Sequence, residues 1–111
     1  MKEFTISETT SLEEIILRIK MLKNRHVFVA NANGSVIGII SEGDILECIL
    51  AKGGSTIKAS DIMTQNFKFV LEDSPEKDKQ LINLFKQGYY VIPLLNEQRQ
   101  LQSVMEAKDF I

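Results

Sequence analysis

Apolar positions along the chain follow two rhythms, a spacing of three to four residues and short unbroken runs, and the same succession of rhythms occurs twice. Leu12, Ile15, Ile16, Ile19 and Leu22 recur at helical spacing, which predicts an amphipathic helix over residues 11–23. Thr10 with Glu13, and Ser11 with Glu14, both have capping-box spacing at its start. Residues 4–6 ahead of it read as a short strand. Residues 27–30 form an apolar, partly β-branched run, Asn31-Ala32-Asn33-Gly34 reads as a turn, and residues 35–40 return as a second strand. A further helix carries Ile45, Leu46, Ile49 and Leu50, with Cys48 on its apolar side.

A shift of 65 positions lays the chain on itself without gaps. Phe4 then meets Phe69, Asn31 meets Asn96 and Asp44 meets Asp109, while Ile6 pairs with Leu71, Ile16 with Leu81 and Val27 with Ile92. The second copy reads as a strand over 67–71, a helix capped by Ser74 with Pro75 at its first position, and a hairpin of 90–95 with 101–105. Leu81, Leu84 and Phe85 mark the buried face of that helix, and Gly88 is placed to end it. The pattern predicts an α/β (α+β) protein of two βαββα repeats, each a small mixed sheet covered by helices, packed about a pseudo-twofold axis. The repeats are assigned to residues 1–52 and 67–111, with a linker over 53–66. The second stops two residues past Asp109, so it is expected to lack its closing helix, as in a fragment of a longer chain.

Composition narrows the function classes. The 111 residues are 44% hydrophobic and 25% charged, enough apolar material for a core. Thirteen Lys and Arg against fifteen Asp and Glu leave a net charge of −2, which excludes a broad basic surface for nucleic acid or anionic membrane. The longest nearly apolar run, 89–95, is far too short to insert in a bilayer, and no signal peptide is visible. Cys48 is the single cysteine and His26 the single histidine, so neither a disulfide nor a metal site is expected. A lone thiol fits a reducing, cytoplasmic setting.

The strongest local feature is Gly38-Ile39-Ile40-Ser41-Glu42-Gly43-Asp44, with Ser41 and Asp44 three apart where a strand gives way to a helix. Two readings stay open. Ser41 and Asp44 can cap the helix. The same geometry can also bind a ligand, with free amides and a hydroxyl holding phosphate and a carboxylate taking a ribose diol. In the second repeat the positions read Glu106-Ala107-Lys108-Asp109, where Glu106 repels phosphate, so a second site is expected to be weaker or empty.

Other candidates have plainer explanations. His26 and Cys48 together suggest a thiol–imidazole pair, but Cys48 sits among core positions, and no catalytic residue is assigned. Lys52-Gly53-Gly54-Ser55-Thr56 has phosphate-loop residue types in the wrong order, since lysine must follow the glycines. Arg18, Lys20, Lys23 and Arg25 fit the negative end of the first helix, with a contact to ligand phosphates as the alternative. Tyr89 and Tyr90 read as core and interface residues.

The tandem repeat, the Ser41-x-x-Asp44 element and the linker Ala59-Ser60-Asp61-Ile62-Met63-Thr64 together resemble a pair of CBS domains, a Bateman module, over residues 4–111. Pro93 matches the proline that commonly opens the family's middle strand, and Phe28 replaces it in the first repeat. The resemblance implies a binding module, not an enzyme, with no required cofactor. It implies an adenosine-type ligand, AMP, ADP, ATP or S-adenosylmethionine, in clefts between the repeats. Asp44, and less closely Asp109, takes the place of the ribose-binding aspartate, Ser41 that of the hydroxyl near phosphate, and Met63 and Thr64 lie beside the site. Such modules form homodimers and regulate an attached or separate enzyme, transporter or channel. Gly43 stands where most members have a basic residue. The run 41–46 with 51–55 is similar to CBS pairs placed ahead of sugar-phosphate nucleotidyltransferases. Glu106, Gly43 and Phe28 also fit a structural dimerisation domain with degenerate clefts.

Overall fold

The computed structural model describes residues 2–53 and 56–110, Lys2 and Lys52 by backbone alone. Gly54 and Ser55 of the Lys52–Thr56 stretch lie outside the described residues. The chain divides into two compact units, Met1–Phe67 and Lys68–Ile111. It is a mixed α/β protein with two three-stranded sheets.

In unit 1 a 3-10 turn leads into β1 (Thr5–Ser7), followed by α1 (Leu12–Met21), β2 (His26–Ala30), β3 (Val36–Ser41), α2 (Glu42–Lys52) and a short α3 (Ala59–Ile62). β2 is central, parallel to β1 and antiparallel to β3. Of the two candidate caps for α1, Ser11 acts: its Oγ accepts the Glu14 amide at 3.3 Å, while Thr10 Oγ1 accepts the amide of Ser7 at 3.0 Å. Ile15 and Ile19 of α1 pack with Val27, Val29 and Ile40 of the sheet, and with Ile45 and Cys48 of α2. Arg18 Nη1 donates to the carbonyls of Glu3 (3.3 Å) and Thr5 (3.1 Å), so this member of the basic cluster ties α1 to the opening strand.

Much of the expected linker belongs to the body of unit 1. The amide of Leu12 donates to the Ile57 carbonyl (3.1 Å), that of Ala59 to Thr10 (2.9 Å) and that of Ser60 to Glu8 (3.0 Å). Ile57, Ala59 and Ile62 are buried in the core. Asp61 caps α3 through its Oδ2, which accepts the Lys58 amide at 2.9 Å.

Unit 2 runs β4 (Val70–Leu71), α4 (Lys77–Lys86), β5 (Val91–Leu95), β6 (Leu101–Glu106) and a 3-10 turn (Ala107–Asp109), with the same sheet order and sense. The hairpins repeat atom for atom. Asn31 Oδ1 accepts the amides of Asn33 and Ser35, both at 3.0 Å. Asn96 Oδ1 accepts those of Gln98 (3.0 Å) and Gln100 (2.8 Å). Each tip needs a left-handed residue, Gly34 (φ 83°) in one and Arg99 (φ 62°) in the other. The Arg99 guanidinium lies 4.7 Å from the Phe69 ring centroid. Both hairpins break register at equivalent places, Val29/Ala30 and Leu94/Leu95.

Some expectations need correction. The ungapped shift holds from the first helix onward but not at the opening strand. Ile6 pairs with Val29, whereas Val70, not Leu71, pairs with Leu94. Val70 is accordingly buried and Leu71 is 42% exposed. The loop from β4 to α4 (72–76) holds one residue more than the loop from β1 to α1 (8–11), which absorbs the slip. α4 starts at Lys77, two residues after Pro75; Ser74 Oγ still accepts the Glu76 amide (3.3 Å), bracing the turn that precedes the helix. Leu46 and Leu50 of α2 face outward, because Ile45 and Cys48 take the inward face. Tyr89 and Tyr90 are exposed rather than core.

Candidate functional site

β3 delivers Ser41 to the start of α2, where strand and helix geometry meet. Ser41 is extended (φ −110°, ψ 170°) and caps the helix: its Oγ accepts the Asp44 amide at 3.3 Å. Asp44 answers with Oδ2, which accepts the Ser41 amide (2.8 Å) and the Ser41 hydroxyl (3.0 Å). This is a reciprocal capping box with Asp in the usual Glu place, and a carboxylate near the positive helix end is favoured there. Both bonds fall on Oδ2. A carboxylate has two oxygens and about four acceptor sites, so the box uses only part of its capacity. Glu42 at the first turn pairs with Arg25, Oε1 to Nε at 3.2 Å, with both side chains half exposed. Such a pair contributes little stability but orients two charges beside the box.

Met63 and Thr64 reach the same strand from α3. Thr64 and Ile39 exchange backbone bonds, Ile39 N–H to Thr64 O at 3.1 Å and Thr64 N–H to Ile39 O at 2.9 Å. Ile39 and Ser41 share one side of β3, two residues or about 7 Å apart. Four of the five expected site residues, Ser41, Asp44, Met63 and Thr64, therefore gather along one strand of unit 1.

Two residues of this arrangement escape a reading of the sequence for chemistry. Ile39 contributes only its backbone, which no side-chain pattern reports. Gly38 lies directly under Met63: a Cβ there would stand 2.7 Å from Met63 Sδ and 2.8 Å from its Cβ. A glycine inside an otherwise branched strand is the available signal for such close approach. Gly43, by contrast, has room, since a Cβ there meets only Ser41 Oγ at 3.7 Å.

The fifth residue, Asp109, is set differently. It ends a 3-10 turn rather than entering an α-helix, and it is exposed. Glu106, in the place of Ser41, makes no side-chain cap and lies 3.8 Å from Lys108 Nζ. His26 and Cys48 have separate settings. His26 Nδ1 bonds the Asn24 carbonyl, and Cys48 is packed in the core. Among the described residues, no group of three or more His, Cys, Asp or Glu is placed to hold a metal, and no helix is long and apolar enough to cross a membrane.

The fold is similar to that of solved CBS domain pairs. Residues 1–51 match the CBS domain family model, and 96% of the chain aligns in structure with a solved CBS domain pair. The CBS pair of protein MJ0100, solved with 5'-methylthioadenosine and S-adenosylmethionine, is 23% identical, with a TM-score of 0.76 over 96% of this chain and 87% of that one. Staphylococcus aureus OpuCA is 21% identical, TM-score 0.78, over 96% and 86%. The cytosolic domain of the Mg2+ channel MgtE, solved with ATP, is 16% identical, TM-score 0.79, over 97% and 44%. No curated protein matches the sequence.

Proposed function

We propose that this chain is a regulatory ligand-sensing module that binds an adenosine-type ligand through the Ser41–Asp44 junction. One observation carries the reading: the Ile39–Thr64 bridge sets Met63 and Thr64 on the strand that ends in the capping box. Amides of the first turn of α2 hold phosphate, and the Ser41 hydroxyl, whose one proton goes to Asp44 Oδ2 without ligand, joins them by turning toward the phosphate. The Asp44 carboxylate, with acceptor sites beyond those of the box, takes the ribose diol. Met63 packs the base and Thr64 lines the approach. Similar CBS pairs solved with S-adenosylmethionine, 5'-methylthioadenosine or ATP support the ligand class. Asp109 marks a second and weaker position. A homodimer acting on an attached or separate enzyme or transporter, with a sugar-phosphate nucleotidyltransferase as the candidate, completes the proposal. Regulation follows only if ligand favours one arrangement of the assembly over another.

The test is thermal unfolding with AMP, ADP, ATP, S-adenosylmethionine and GTP as control. Ligand at one hundred times its dissociation constant adds about 2.7 kcal/mol, and each kcal/mol is roughly 4–8 °C at this size. The expected result is a rise with one adenosine compound that is lost in Asp44→Asn, which keeps an acceptor for the cap but removes the charge. No rise with any of them moves the assignment to a structural dimerisation domain.

A further inference from the structure

The two units differ beside their opening strands. α1 and α4 begin and end 65 residues apart, so Ile15 and Arg18 of unit 1 correspond to Gln80 and Asn83 of unit 2. In unit 1, Ile15 is fully buried, and the Arg18 guanidinium reaches across to the Glu3 and Thr5 carbonyls. In unit 2, neither replacement fills that space. A groove of about 370 Å3 lies there between β4 and α4, lined by Phe69, Leu71, Ser74, Gln80 and Asn83 among others.

We propose that this groove binds the guanidinium group of a small alkylguanidinium compound. The argument is the sister repeat, which shows what the architecture accepts between helix and opening strand: a planar cation on an apolar stem. Allowing for the one-residue slip, Thr5 corresponds to Phe69 at the groove wall. A carbonyl has two lone pairs, so the strand backbone can take a further donor whatever else it bonds. The amide oxygens of Gln80 and Asn83 and the Ser74 hydroxyl add acceptors, and Val70 and Leu84 give the stem an apolar wall. A guanidinium presents five donors in a fixed fork, which suits several convergent oxygens better than an ammonium does. The proposal involves unit 2 alone and stands apart from the nucleotide reading.

The experiment is an amide NMR titration of the full chain with agmatine, and with butylamine as a cation lacking the fork. Agmatine is expected to shift the amides of 69–71 and 80–84 at millimolar concentration, and butylamine is not. Asn83→Arg, which restores the unit 1 arrangement, is expected to abolish the shifts. Gln80→Ile, which fills the groove from the other corner, serves the same purpose if Asn83→Arg does not fold. No shift up to tens of millimolar, equal shifts with butylamine, or shifts that persist in a folded groove-filling variant would each overturn the site.

Discussion

Units 1 and 2 share a hairpin and part company on either side of it. The Asn31 and Asn96 side chains organise their turns with the same two bonds, and both strand pairs slip at the same step. Ahead of the hairpin, unit 1 closes its helix–strand gap with Ile15 and Arg18, and unit 2 leaves a groove. After it, unit 1 locks Ser41 and Asp44 into a box that starts α2, and unit 2 runs through Glu106 into one 3-10 turn. Local hydrogen bonding from one asparagine is thus enough to preserve a turn through wide sequence divergence. The flanking sites depend on pairs of residues, and replacing one member removes the arrangement.

The largest contrast is expected in the strands that carry the junctions. Gly38→Ala drives a methyl into Met63 and should cost about 1–3 kcal/mol, the usual penalty for overpacking. Ser103→Ala, at the equivalent position of β6, should stay within about 0.5 kcal/mol, as a substitution at a half-buried position away from such a contact. Urea unfolding of both variants measures the difference, and equal costs would refute the asymmetry.

A smaller contrast concerns the caps. Asp44→Ala removes an acceptor of two bonds and should destabilise by about 1 kcal/mol, while Asp109→Ala, exposed at the end of a 3-10 turn, should change little. Melting temperatures of the two variants without ligand decide this. They also supply the baseline that any ligand-dependent shift must be read from.

The smallest concerns the turn tips. Gly34→Ala places a side chain at φ 83° and is expected to cost about 1 kcal/mol. Arg99→Gly relieves the corresponding strain but gives up the contact with Phe69, and two terms of about 0.5–1 kcal/mol leave a net change near zero. Chemical denaturation of the pair would show the hairpins to be inequivalent after all if Arg99→Gly proved clearly destabilising.

The order of elements was legible because helical spacing in 12–22 and short apolar runs around Asn31 and Asn96 admit one sensible reading. Ser41 and Asp44 could be named because a hydroxyl and a carboxylate three apart after a strand have capping-box spacing, and that box is what the structure forms. The slip at β4 was hidden because Val70 and Leu71 are both apolar, and pattern cannot choose between adjacent apolar residues. The exposure of Leu46 and Leu50 was hidden likewise, because α2 has apolar residues on more than one face. Arg18 looked like a helix-end charge, and its long reach to two carbonyls is a tertiary fact with no local signature.

The fit of Gly38 beneath Met63 also constrains how the two positions change by mutation. A side chain at position 38 would stand 2.8 Å from the Met63 Cβ itself, so trimming Met63 to Ala removes the clash with Sδ but does not make room. Substitutions of Gly38 are therefore expected to be rejected in either order, before or after Met63 is shortened. Gly38 is thus held by the close approach of residue 63 and not by any special φ of its own.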